Sequence, residues 1–293
     1  MASTRVLVTR RKAVRNIKKI TRTMELIATA RFKAAQKRAS DAEAYTAKIA
    51  ELAADLSASA TNIQHPLLLK RERIDKSVLL VICSNRGLCG GYNAGILREA
   101  GGAIKRTSQE SAALQLELSG KRAINYFRFA GGKPTHTYVK FEDKPRFDEV
   151  EEIADRYLAE FIAGKIDRVQ VAYMKYLSAG VQRPVVETLL PLDRSAAPQA
   201  KKEPAAKKVE YEFLPDAGGI LQEILPVSFK VRLFKCFLDA AVSEQIARRV
   251  TMKQATENAD DMIKTITRKY NRARQATITK EIMEIIGGVE ALE

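Results

Sequence analysis

Apolar residues recur at intervals of three and four along the first stretch of the chain. They crowd into short runs through the middle and return to the three-four interval near the end. In the first stretch Ile17, Ile20, Met24 and Ile27 keep the interval, Arg31, Ala34, Arg38 and Asp41 interrupt the same stripe, and Tyr45, Ile49, Leu52 and Leu56 restore it. The last stretch offers Val231, Phe234, Leu238 and Ala241, then Ala259, Ile263, Ile266, Tyr270 and Ala273, and finally Ile278, Ile282, Ile285 and Val289. A sustained interval of this kind marks a coiled-coil seam. Helix breakers respect the same partition. All nine prolines lie between Pro66 and Pro226, and every glycine lies from Gly87 to Gly219 except Gly287 and Gly288. The breaker-free ends, 1–65 and Val227 to Ile286, therefore read as two very long helices, each reaching roughly 80 to 90 Å at 1.5 Å per residue. A solitary helix of that length with an apolar stripe needs a partner in water. Antiparallel pairing of the two ends within one chain would bury both stripes; pairing between two copies of the chain is the alternative.

From Lys76 the pattern changes to short β-rich runs separated by helical segments. Strands are predicted at Ser77 to Cys83, Leu114 to Leu118, Thr135 to Val139, Arg168 to Leu177 and Val185 to Leu190, with helices at Tyr92 to Arg106, Arg122 to Phe129 and Glu149 to Phe161. Alternation of this kind argues for an open, mostly parallel, Rossmann-like sheet with helices on its faces. The fold class is α/β: a long antiparallel coiled coil of the terminal helices plus a central open-sheet lobe. The expected organisation is an N-terminal shaft helix over 1–65, a central lobe over 66–217 with an exposed Ala/Lys/Pro-rich loop at 194–208, and a C-terminal shaft helix over 218–293.

Charge adds a partner of defined chemistry. The 293 residues carry 50 Lys and Arg against 35 Asp and Glu, a net +15. Residues 1–40 alone hold twelve basic side chains and one acid, and residues 229–280 hold twelve basic and five acidic. The excess therefore sits near the two ends, where an acidic or phosphate-bearing partner is expected. Three cysteines without CxxC spacing exclude a disulfide scaffold and a structural zinc site, and no apolar run approaches the ~20 residues of a membrane helix. The loop Asn85-Arg86-Gly87-Leu88-Cys89-Gly90-Gly91-Tyr92-Asn93 invites a nucleotide reading. Its spacing is not GxGxxG, no P-loop occurs, and the acidic residue expected about 20 positions later is missing, so its glycines read as turn geometry. His65 and His136 are isolated, and no nucleophile-base signature, HExxH or EF-hand loop is present. No cofactor is expected and no self-contained active site is legible.

Three longer stretches carry a resemblance. Lys19-Ile20-Thr21-Arg22-Thr23-Met24-Glu25, the loop Arg86 to Asn93, and Tyr270-Asn271-Arg272-Ala273-Arg274-Gln275-Ala276-Thr277-Ile278-Thr279-Lys280-Glu281 together resemble the gamma subunits of F-type ATP synthases. The resemblance extends through Ser243-Glu244-Gln245 and Ala255-Thr256-Glu257-Asn258, in order, over essentially the whole chain. It implies a rotary central shaft, single-copy, passing through three alpha and three beta subunits. The lobe would stand on the epsilon subunit and the proton-driven c-ring, with the nucleotide sites on alpha and beta. It further implies that Arg274 and Gln275 grip a beta-subunit loop with Met24 beside the same region, and that Ile282, Ile285, Ile286 and Val289 form an apolar tip turning in a sleeve. Arg86, Gly87, Leu88 and Asn93, with Tyr211 and Phe213, would meet epsilon and the c-ring; Phe213 stands where a tyrosine is common. The stretch from Asp193 to Tyr211 holds no cysteine, so the thiol regulation of the chloroplast form is not expected. The basic opening matches family members in length ahead of Lys19, which favours a bacterial protein at the cytoplasmic face of the inner membrane over one with a removable leader. A basic coiled-coil nucleic-acid binder and a nucleotide-dependent enzyme built on the lobe are the competing classes.

Overall fold

The computed structural model describes residues 4–59, 65–69, 71, 73–110, 113–141, 144–192 and 217–290. The elements in chain order are α1 (Thr4–Ser59), a 3-10 turn (Pro66–Leu68), β1 (Lys76–Ile82), α2 (Tyr92–Gln109), β2 (Ala113–Ser119), α3 (Lys121–Phe129), β3 (His136–Tyr138), α4 (Phe147–Ile162), β4 (Arg168–Ser178), β5 (Val181–Leu190) and α5 (Ala217–Glu290). Their packing divides the chain into two bodies, residues 1–29 with 248–293 and residues 30–247, and both long helices contribute to each.

The larger body is the open sheet. Strand order is β3-β2-β1-β4-β5, parallel throughout except for the antiparallel β4-β5 pair. β1 is central and buried on both faces, which is why it reads as the unbroken run Ser77-Val78-Leu79-Leu80-Val81-Ile82. One face, through Leu80, Ile82, Val169 and Val171, packs against Ile153, Tyr157 and Phe161 of α4 and against Leu225, Phe229, Leu233 and Phe237 of α5. The other, through Leu79, Val81 and Leu118, packs against Ile96 and Ala100 of α2 and Ala123 and Phe127 of α3. At about 25 cal/mol per Å² of apolar surface removed from water, a two-faced core of large side chains is the main stabilising term of this body. Phe32 and Ala35 of α1 lie against Val242 and Ile246 of α5 beside it.

α5 begins earlier and ends later than the breakers predict, running through Pro226 and through Gly287 and Gly288. Proline inside a helix costs about 3 kcal/mol. Leu225 and Phe229, on either side of Pro226, are buried in the sheet core, and that burial offsets the lost hydrogen bond. The expected loop at 194–208 lies outside the described residues.

The smaller body is an antiparallel helix pair. Arg11 stacks on the ring of Tyr270, Lys18 bonds Asp260 at 2.5 Å, and Thr256 donates its hydroxyl hydrogen to Thr21 at 2.8 Å, so residue numbers rise on one helix as they fall on the other. The seam on α5 is the expected one: Ala259 and Ile266 are buried, and Ile263, Tyr270 and Ala273 pack against them. The seam on α1 is not. Leu7, Val14, Thr21 and Ala28, spaced by seven, are buried, whereas Ile17, Ile20 and Ile27 are exposed, Ile20 to 59%, and Met24 is half-buried. α1 carries two apolar stripes about 100° apart, and the one with the smaller residues faces inward because small side chains let the helices approach closely.

Candidate coupling surface

α1 begins at Thr4, and Leu7 packs in the same cluster as Ile266, Tyr270 and Ala273. From Arg274 to Gly288 every residue of α5 is exposed. Among the described residues, helical hydrogen bonds and local pairs such as Lys280–Glu284 at 3.3 Å support the helix over this length. Arg274 and Gln275 open this bare segment, and Ile278, Ile282, Ile285 and Ile286 follow on it, Ile285 68% exposed. Exposed apolar side chains at four-and-three spacing on one helix mark a contact surface. Together with Val6, Ile17, Ile20, Leu26 and Ile27 on α1, this body shows water two runs of large aliphatic residues that its own seam does not use.

Met24 does not lie beside Arg274. It follows Thr21, whose partner is Thr256, by three residues, while Arg274 lies eighteen residues beyond Thr256 the other way, so the two are separated by roughly 30 Å along the helix pair. Its neighbours on α1 are the exposed Ile20 and Ile27. The sequence stripe held these residues as seam. The signal that distinguishes the two stripes is the strict seven-residue repeat of Leu7, Val14, Thr21, Ala28 and Ala35, masked by the small size of its members.

The loop between β1 and α2 is locked from within. Asn93 accepts from the Ser84 backbone N–H at 3.0 Å and donates to Ser84 Oγ at 2.8 Å and Cys89 Sγ at 3.1 Å. Ser84 Oγ donates to the Arg86 carbonyl at 2.7 Å. Leu88 takes a left-handed conformation, φ 64°, and points an exposed aliphatic side chain to solvent, while Cys89 beneath it is buried. A leucine held there costs about 1–2 kcal/mol, and the internal hydrogen bonds of the loop hold it. A side chain at Gly87 would collide with the Arg122 guanidinium. Arg86 is exposed. Tyr211, Phe213 and the side chain of Val289 lie outside the described residues.

One polar constellation in the lobe was not legible. Glu117, fully buried on β2, accepts from Tyr138, Tyr157 and Arg156, each at 2.7 Å, with His136 Nδ1 at 3.3 Å from its other oxygen. Burial raises the affinity of its carboxyl for a proton, but the hydrogen bonds of Arg156 and the two tyrosines outweigh it and hold the group below its ordinary range. A carboxylate with this many donors is tied down and has no open face toward a substrate. Burial likewise pushes the Cys83 and Cys236 thiols well up, so both are inert packing groups. Among the described residues no His/Cys/Asp/Glu group could hold a metal ion.

The sequence comparisons fit this architecture. A family profile described as ATP synthase covers residues 3–292. A gamma chain of ATP synthase from Rhodopirellula baltica is 54% identical over 295 residues, covering all of both chains. The chain belongs to the ATP synthase gamma-chain family. The Leptospira biflexa gamma chain is 39% identical, again over the full length of both. Among solved structures, a chain of the Euglena gracilis mitochondrial ATP synthase, in an OSCP/F1/c-ring assembly, superposes with a TM-score of 0.64 at 16% identity, covering 99% of this chain and 94% of its own. A chain of the Tetrahymena thermophila central stalk and c-ring gives 0.57 at 18% identity, covering 80% and 99%. These distant likenesses bear on the fold: two long terminal helices and a central sheet. Membership in this family accounts for the basic helices without nucleic acid.

Proposed function

We propose that this chain is the central-stalk subunit of an F-type ATP synthase, one copy per complex, carrying torque between a proton-driven c-ring and the catalytic beta subunits. The observation that carries the reading is the bare final run of α5, with its aliphatic face open to water in a chain related over its whole length to gamma chains. Such a rod is stable in water only when other subunits enclose it. Three alpha and three beta subunits supply the enclosure, and the epsilon subunit and c-ring hold the lobe. The chain has no active site of its own; nucleotide chemistry belongs to its partners. No described helix is long and apolar enough to cross a membrane, and attachment runs through the c-ring at the cytoplasmic face of a bacterial inner membrane.

The functional division is a shaft of 1–65 with 218–293 and a lobe of 66–217. Torque enters at the lobe, where Arg86, Gly87 and Leu88, with Tyr211 and Phe213, meet epsilon and the c-ring. Asn93 serves this contact from inside by fixing the loop that displays Leu88. Along the shaft, twist is resisted by the seam and by the Thr21–Thr256 and Lys18–Asp260 bonds, which tie the helices at fixed register. Arg274 and Gln275 take hold of a beta-subunit loop: a guanidinium forks onto a carboxylate with two charge-assisted hydrogen bonds, which gives a directional hold. Met24, displaced down the shaft, meets beta through the Ile20–Ile27 stripe. Ile282, Ile285, Ile286 and Val289 turn in an apolar sleeve, where aliphatic contact slides without a directional hold.

The test is reconstitution. Alpha and beta subunits mixed with this chain should hydrolyse ATP at a rate neither reaches alone, and equal activity with and without it would refute the assignment. Arg274→Ala should lower turnover or coupling far more than Arg272→Ala; equal losses would reject the grip while sparing the shaft.

A further inference from the structure

Within the sheet body, α5 runs through a place where open sheets of this kind hold ligands. The chain leaves β1 to one side for β2 and β3 and returns on the other side as β4, and ligands of open α/β sheets sit in the crevice beyond the carboxyl ends of such strands. Pairing of β1 with β4 stops at Val81 and Ala172; β1 then gives way to the loop that leads to α2, and β4 runs on past Met174. α5 crosses this end of the sheet. Phe229, Phe237 and Ala240 pack in the core on the α4 face, whereas Ala247 packs against the core on the α2 face. The residues that make the crossing are small, and Ala240, Ala241 and Ser243 are all buried. What is left of the crevice, between Ile82, Cys83, Tyr92, Phe141, Phe237 and Ala240, is a cavity of about 20 Å³, room for a water and not for a nucleotide.

Two hydroxyls pin the crossing, one from each side of the crevice. Tyr92, the first residue of α2 and 3% exposed, donates to the Ala240 carbonyl at 3.1 Å. One turn further along α5, Ser243 donates to the Met174 carbonyl of β4 at 3.3 Å, which is where the Ser243-Glu244-Gln245 stretch comes to lie. The two ties differ in what stands behind them. Met174 belongs to the sheet, whereas Tyr92 closes the loop that Ser84 and Asn93 lock and that shows Leu88 to solvent. The Tyr92 N–H donates to the Cys89 carbonyl at 3.2 Å, so the residue is fixed to the loop at its backbone and to the shaft helix at its hydroxyl. A tyrosine is a stiff spacer, since only two torsions place its ring and close packing holds both. From the loop to α5 the path through Tyr92 is one side chain long; the alternative runs through β1 and the sheet core to Phe237. We propose that Tyr92 is a positioning residue of the rotary mechanism, the strut through which load on the β1–α2 loop reaches α5 at Ala240. This role rests on the central-stalk reading and adds to it the route by which loop and shaft turn as one.

The experiment uses the whole complex in membrane vesicles, with ATP hydrolysis followed by phosphate release and proton uptake by quenching of a pH-sensitive dye. Tyr92→Phe keeps the ring and removes the hydroxyl. With the gradient collapsed by an uncoupler the shaft turns unloaded, and hydrolysis should stay within about 1.3-fold of the parent. Against a full gradient the loop and α5 are pulled apart, and the protons moved per ATP should fall at least about twofold. The melting temperature of the full chain should drop by no more than about 3 °C. Tyr138→Phe is the control: it also loses a hydroxyl bond inside the lobe, but to Glu117 rather than to α5, and its loaded ratio should equal the parent's. An unchanged loaded ratio in Tyr92→Phe, or an equal loss in Tyr138→Phe, would overturn the proposal. So would a loss that is the same with and without the gradient and follows a lower melting temperature, which would reduce Tyr92 to a packing group. If the unmodified chain fails to restore hydrolysis to alpha and beta subunits, the central-stalk reading itself falls, and the strut with it.

Discussion

The two bodies of this chain are held together by different means. The sheet body buries large aliphatic and aromatic side chains on both faces of β1 and encloses a carboxylate, Glu117, one oxygen of which accepts from Arg156, Tyr138 and Tyr157. The helix pair has a single narrow seam in which Thr21, Ala28 and Ala259 are buried beside Leu7, Val14 and Ile266, while Ile17, Ile20, Leu26 and Ile27 of α1 stay on the outside. The contrast teaches that burial and residue size need not coincide. Where a protein must present an apolar surface to others, its own contact can be made from its smaller side chains.

The sharpest way to break this comparison is inside the sheet body. Glu117→Ala strands Arg156 and two tyrosine hydroxyls, and removing one member of such a group costs about 3–5 kcal/mol. Thermal unfolding should show the loss, and a change below 1 kcal/mol would mean the network is ornamental. Next is Asp239 on α5, almost fully buried, whose carboxyl is pushed up to about 7, first by burial and then by Glu43 and Glu187, against the pull of Lys235 and Lys175. Its folded value lies above the ordinary 3.8, so the native state keeps a proton that the unfolded chain has released. The stability this proton confers is complete below pH 4 and lost as pH rises through 7; a gap of that size is worth at most about 4 kcal/mol. Asp239→Asn should therefore match the parent at pH 4 and exceed it at pH 8, and parallel stability curves would reject the reading.

Smaller effects sharpen the contrast on the helix pair. Ala28→Leu forces the seam apart and should cost about 1–3 kcal/mol, read as a lower melting temperature. Ile20→Gln, on the outer stripe, should cost under about 0.5 kcal/mol in the isolated chain. If Ile20→Gln proves the more damaging of the two, the inner and outer stripes have been exchanged.

Much of this was legible in the sequence, for reasons that differ by region. The strands announced themselves because β1 and β4 are buried runs bounded by polar and glycine-rich turns, and each predicted strand overlaps an observed one. Gly120 did not stand out in the sequence, yet at φ 94° it sits where any side chain would strike the Cys83 carbonyl. The inner face of α1 was hidden because Thr21, Ala28 and Ala35 carry little hydrophobic signal next to Ile17, Ile20 and Ile27. The helical path through Pro226 was not legible from the breakers, because Pro226 argues locally against helix while the sheet core argues for it. Glu117 gave no warning, since a lone acid in a strand reads as a solvent-facing residue until Arg156 arrives from a distant helix.

The unclothed end of α5 also bears on supply. A cell making this chain faster than the proteins that surround it would carry surplus rods whose aliphatic tips can only meet one another or a chaperone. Synthesis in step with its assembly partners is thus a requirement written into the last turns of the chain, and overexpression alone should yield a protein that clumps unless those partners are made beside it.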